Sequence, residues 1–207
     1  MSRLNYFLEI FEKDIADAYQ LHEKTFDIES FHGRFHILRC LFLIDKLDEY
    51  YKLQPVDYDI DSAYYAILFH DIARKNNGID IWESDSANLC YQYLMRKGFG
   101  REKSYNISQL ILKKKPFSLV GQIVYDVDVL DYFRFFWLPH EKDLFEENRL
   151  IVGAKKDVIN KENPVFRKLM IDYTQELVKI TDEISVDTAT SELIKQIRLG
   201  SGNYFNV

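Results

Sequence analysis

The sequence predicts an all-α protein. Apolar residues recur at spacings of three and four along nearly all of the 207 residues, the period of helices with one buried stripe. No stretch alternates apolar and polar residues between hairpin-turn signals, as half-buried strands would. Start and stop residues then divide the chain into helices.

Residues 3–24 read as an amphipathic opening helix, with Leu4, Phe7, Leu8, Phe11, Ile15 and Tyr19 on one side and acids on the other. Ser30 is a fitting cap for a second helix to about Leu53, where Gln54-Pro55 ends it. Asp61 or Ser62 can cap a third helix to about Lys75, with Asn76-Asn77-Gly78 offering the left-handed residue that closes it. Further helices are expected near 83–97, stopped by Gly98; near 103–114, stopped by Pro116; and near 118–132. Residues 141–160 and 164–184 read as two more, the second with Pro164 in its first turn. The tail beyond Asp187 is weakly patterned, and Gly200, Ser201, Gly202 and Asn203 read as a loop. No repeat or linker divides the chain, so 1–207 is expected to be one helical domain, with a core over about 28–135 and a helical extension over about 141–200.

Composition narrows the function classes. Hydrophobic residues make up 47% and charged residues 29%, with 8 Gly and 4 Pro, which excludes disordered and low-complexity chains. A net charge of -6 argues against long nucleic acids and anionic membrane surfaces, both of which need basic patches. Cys40 and Cys90 lie fifty residues apart without CxxC spacing, so neither a zinc cluster nor a disulfide framework is implied and a reducing compartment is expected. Glu9, Glu12 and Asp14 interrupt any secretory signal, and no run free of Asp, Glu, Lys and Arg exceeds ten residues. A membrane span needs about 20 apolar positions. The expectation is a cytoplasmic protein with no membrane partner.

Chemistry concentrates in three segments. The second helix, FHGRFHILRCLFLI, is apolar on nearly every face and is expected to be buried and central; His32, His36 and Arg39 share one of its faces with Leu43. The third is apolar from Ala63 to Phe69 and then presents His70 and Asp71. Asp126, Asp128 and Asp131 interrupt the apolar stretch from Phe117 to Trp137, Asp128 and Asp131 on a shared helical face. A His-Asp pair carries no weight by itself. The coincidence of three mostly apolar helices, each interrupted by metal-competent residues, does: buried carboxylates and imidazoles need partners, and one divalent cation serves several. His22 and His140 lack such a pattern and read as surface residues, and Lys113-Lys114-Lys115 as a solvated helix end.

The order His36, His70-Asp71, Asp128 resembles the HD-domain superfamily of metal-dependent phosphohydrolases. The likeness covers roughly residues 28–135. It rests on His36-Ile-Leu-Arg39, on the dyad after an apolar helix in LFHDIARKNNG, on the helix entry around Asp85-Ser86-Ala87, and on DVDVLDYFR, which looks like the family's closing DADxLDxxR. HGRFHILR is similar to a subgroup reading HGxxHxxR.

The resemblance implies an HD-like helical bundle in which His36, His70, Asp71 and Asp128 hold one divalent metal, with Mn, Fe, Co, Ni or Zn suited to mixed nitrogen and oxygen donors. It implies a reaction in which the metal activates water against a phosphate ester of a small nucleotide-like or other phosphorylated metabolite. Asp71 would also orient that water, Arg39 and Arg74 would either hold phosphate oxygens or neutralise carboxylates, and Asp131 would support a ligand histidine or Arg39.

Two departures matter. The family's His-Gly pair is replaced near Trp82-Glu83-Ser84, so a second metal is not expected, and Arg74 stands where the nucleotidase branch has Glu. Residues 141–207 match no family segment and can complete the bundle, cover the pocket or form a homodimer face. The rival expectation is a non-catalytic ligand-binding or regulatory protein on the same scaffold.

Overall fold

The computed structural model describes residues 2–27, 31–51, 58–114, 117–132 and 186–202, and all regular structure among them is helical. In chain order these are α1 (Arg3–Ile10), a π-turn (Phe11–Ile15), α2 (Ala16–Thr25), α3 (Arg34–Tyr51), α4 (Ile60–Phe69), α5 (Glu83–Arg96), α6 (Arg101–Ile111), α7 (Leu119–Tyr132) and α8 (Thr190–Gly202). The chain divides into two compact units, Met1–Tyr125 and Asp126–Val207, the division falling inside α7. No described helix is long and apolar enough to cross a membrane. The helices expected over 141–160 and 164–184 lie outside the described residues, as do His140, Ser30, Gln54-Pro55 and Pro116.

In the first unit α4 is the central helix. Eight of its ten residues are buried, and it packs against α3, α5 and α6. The opening segment crosses this core with Phe7, Leu8, Phe11, Ile15, Ala16 and Tyr19 inward. Phe7 stacks on Tyr64 with centroids 4.4 Å apart, and the Tyr19 hydroxyl donates to the Leu68 carbonyl at 3.0 Å. Arg3 ties α1 to its neighbours through Asp48 (3.1 Å) and Asp61 (2.7 Å). The π-turn adds a residue to the helical period, so the buried stripe shifts and continues through Tyr19 to His22 and Glu23.

Helix boundaries differ from expectation where side chains or backbone conformation override the sequence signal. α4 starts at Ile60 after Asp59, whose carboxylate accepts from the Ser62 hydroxyl at 3.0 Å. It ends at Phe69, well before Lys75, so His70 and Asp71 sit in the turn that follows rather than inside a helix. Gly78 does not close it in a left-handed conformation; the described residues with positive φ are Gly98 (86°) and Lys113 (47°). Gly98 ends α5 as expected, with the Phe99 amide reaching back to the Leu94 carbonyl and the Gly98 amide to Met95. Ser118 caps α7 through the Gly121 amide. The tail is a helix, not a loop: α8 runs through Gly200, Ser201 and Gly202, with Leu193 and Ile194 buried on its apolar side.

Candidate metal centre

The start of α3 positions one half of the site. Asp27, fully buried, accepts the amides of Phe31 (2.9 Å) and His32 (2.8 Å), which fixes the turn leading into α3. Glu23 accepts the Arg34 amide at 2.6 Å and its Nε at 2.8 Å, which docks the end of α2 on the first turn of α3. His32 therefore precedes the helix, while His36, Arg39 and Cys40 lie within it. The turn after α4 supplies the other half, His70 and Asp71.

Three donor atoms converge between these halves. His36 Nε2 and His70 Nε2 are 3.0 Å apart; Asp71 Oδ2 is 3.2 Å from His70 Nε2 and 3.7 Å from His36 Nε2. Donors bound about 2.1 Å from a shared ion at angles of about 90–109° are separated by about 3.0–3.4 Å, so two of the three spacings match a common coordination sphere and the third needs a wider angle. His70 Nδ1 is 2.8 Å from the Ile67 carbonyl, an acceptor that requires the proton on Nδ1 and leaves the Nε2 lone pair for the cluster. His36, His70 and Asp71 thus form a buried group that can hold a metal ion.

Asp71 is the hub. Its Oδ2 also lies 3.1 Å from His32 Nδ1, and its Oδ1 accepts from Arg74 Nε at 3.0 Å. Burial pushes the Asp71 carboxyl upward, but the adjoining His70 and His32 outweigh it and hold the group well below the usual carboxylate range. Asp71 is therefore an anion at neutral pH, which a cation ligand must be.

The remaining sequence candidates fall as follows. Arg74 is buried, and its guanidinium is engaged by Asp71, by the carbonyls of Asn76 (3.3 Å) and Gly78 (3.2 Å), and by Asp80 (3.2 Å). Arg39 is buried in α3 with its guanidinium carbon 5.9 Å from the Phe35 ring centre. Cys40 Sγ lies 3.8 Å from His36 Nδ1. Asp126, Asp128 and Asp131 are all buried on α7 and belong to the second unit.

Sequence reasoning missed three residues. His22, expected at the surface, is 7% exposed and packs edge-on against Tyr19, with centroids 5.4 Å apart. Glu23 and Asp27, which fix the start of α3, drew no attention either. The signal was present: continuing the stripe of Phe11, Ile15 and Tyr19 by three and four places arrives at 22, 23, 26 and 27.

A separate cleft of about 830 Å³ lies between α5 and α6, lined by Ser84, Asn88, Tyr91, Arg101, Tyr105 and Gln109 among others, and includes none of the clustered histidines or Asp71. No family model, curated protein or solved structure matches the chain.

Proposed function

We propose that the protein is a metal-dependent phosphohydrolase of the HD type, acting on a small phosphorylated metabolite. The observation that carries the reading is the convergence of His36 Nε2, His70 Nε2 and Asp71 Oδ2, all on buried side chains. The sequence resemblance assigns the fourth donor to Asp128. A bound divalent ion supplies Lewis acidity toward the phosphoryl group and its attacking water. The chain's own part is to hold that chemistry in place. Ile67 fixes the His70 tautomer, Asp71 provides the anionic oxygen, and His32 donates to that same oxygen. The net charge of -6 supports a small substrate drawn to a local cation over a long polyanion.

The depth of the group favours a second reading, a scaffold that retains the ion and binds a phosphorylated ligand without turnover, since His36, His70 and Asp71 are all buried. Metal content by mass spectrometry and phosphate release across a panel of phosphate monoesters and nucleotides separate the two. The enzyme reading expects bound metal and release that His70→Ala and Asp71→Ala abolish. Bound metal with ligand-induced thermal stabilisation and no product supports the scaffold. A metal-free wild type with activity untouched by both substitutions overturns both.

A further inference from the structure

We propose that Arg74 couples the ion group to the surface strap Asn76–Trp82, so that filling the group tightens the strap. The proposal rests on the metal reading given above and assigns Arg74 a positioning role in place of the phosphate clamp the sequence suggested.

The strap is not held by apolar packing. Ile79 and Ile81 are 75% and 69% exposed, and Asn76, Asn77 and Gly78 are exposed as well. Polar tethers hold it instead. Arg74 Nη1 reaches the carbonyls of Asn76 and Gly78, and Nη2 reaches Asp80 Oδ2. Around that post the strap folds on itself: the Gly78 amide donates to Asn76 Oδ1 at 2.9 Å and the Trp82 amide to Asp80 Oδ1 at 3.3 Å. Asn77 Nδ2 adds an anchor on the Phe26 carbonyl at 3.1 Å.

The opposite edge of the same guanidinium holds Asp71 Oδ1, while Asp71 Oδ2 faces the imidazoles. Guanidinium is a rigid planar fork, so a rotation that moves Nε away from Asp71 also moves Nη1 and Nη2 away from the strap. An ion held by Oδ2 restrains the Asp71 carboxylate, hence Oδ1, hence the fork and the strap backbone. The same arrangement spends one Asp71 oxygen on Arg74 and leaves the other for the ion. By linkage, a strap that tightens on ion binding raises ion affinity by the same factor.

Hydrogen–deuterium exchange on the full chain, with and without saturating Mn²⁺, reads the coupling at peptides spanning Gly78–Trp82, while calorimetry reports ion uptake in the same samples. Mn²⁺ is expected to slow exchange there by about fivefold or more, the low end of ordinary coupling. Arg74→Gln is expected to speed strap exchange without ion and to remove the response. Asp80→Ala removes one of the three Arg74 contacts to the strap and leaves the Asp71 bond in place; it is expected to weaken the response, and decides the matter if Arg74→Gln does not fold. Mn²⁺ uptake with an unresponsive wild-type strap, or a response undiminished by Asp80→Ala, overturns the coupling alone. A wild type that takes up no Mn²⁺ overturns the metal reading and the coupling with it.

Discussion

His36 Nε2 and His70 Nε2 face each other at 3.0 Å inside the first unit, with the second nitrogen of His70 committed to the Ile67 carbonyl. The His70 Nε2 lone pair faces His36 Nε2, where either a proton on His36 or a shared cation satisfies it, and Asp71 Oδ2 brings negative charge to the same point. A divalent ion can serve all three. Mn²⁺ or Zn²⁺ at about 100 times its Kd is therefore expected to stabilise the fold by about 2.7 kcal/mol. Thermal unfolding in ion and in chelator measures it. His36→Ala and His70→Ala should each abolish the ion-dependent part, and an equal shift in wild type and both variants would contradict the site.

Glu23 and Arg34 form a second buried relationship, 2.8 Å apart with side chains 2% and 1% exposed. The pair's worth relative to an apolar pair is small, but removing one partner strands a charge in low dielectric. Glu23→Ala is expected to cost about 3–5 kcal/mol by urea unfolding, because it also orphans the Arg34 amide. Glu23→Leu combined with Arg34→Met should recover most of that loss. A double variant no better than the single one would mean that Glu23 acts through the amide alone.

What the sequence made legible follows from where the information is local. Apolar spacing and the stop at Gly98 are local, and both elements appear at their expected places. The dyad was legible as a pair after an apolar helix, because burying several titratable groups demands a shared counter-charge, while the family resemblance is what singled out His36 as its partner. The role of Asp27 was not legible, and for Arg74 phosphate contact and carboxylate neutralisation both stood open. Whether an arginine faces a ligand or its own loop depends on the path of Asn76–Asp80, and the bonds from Asp27 to the Phe31 and His32 amides depend on how the chain passes from α2 to α3. The π-turn at Phe11–Ile15 has no sequence signal in one chain, yet the buried stripe runs on past it to His22, where the apolar spacing already pointed inward.

Gly98 offers a clean measure of backbone conformation. Its φ is 86°, and a Cβ built there meets nothing within 4 Å. Any cost of Gly98→Ala must then come from the left-handed backbone and not from a clash. About 1 kcal/mol of destabilisation is expected in chemical denaturation. Gly100→Ala, which also has open space but no positive φ, should be close to neutral and serves as the control. Similar losses at both positions would contradict the conformational account.

His22 sets an acid limit on stability. Burial lowers its pKa from the ordinary 6.5, against the upward pull of Asp27, Asp71 and the Ile72 carbonyl. Its Nδ1 has no hydrogen-bond partner among the described residues. The folded state thus prefers neutral imidazole, while the unfolded chain binds a proton at the ordinary value. Between the two pKa values the unfolded state carries more protons, so stability rises with pH through that window. The contribution is complete above about pH 6.5 and is lost as pH falls toward the lower folded value. His22→Gln keeps a donor for the Ile72 carbonyl and removes the titration. The difference in unfolding free energy between wild type and His22→Gln is therefore expected to move toward the variant as pH drops from 7 through 5, measured by urea unfolding at each pH. A difference that stays constant across that range would show that His22 titrates alike in both states.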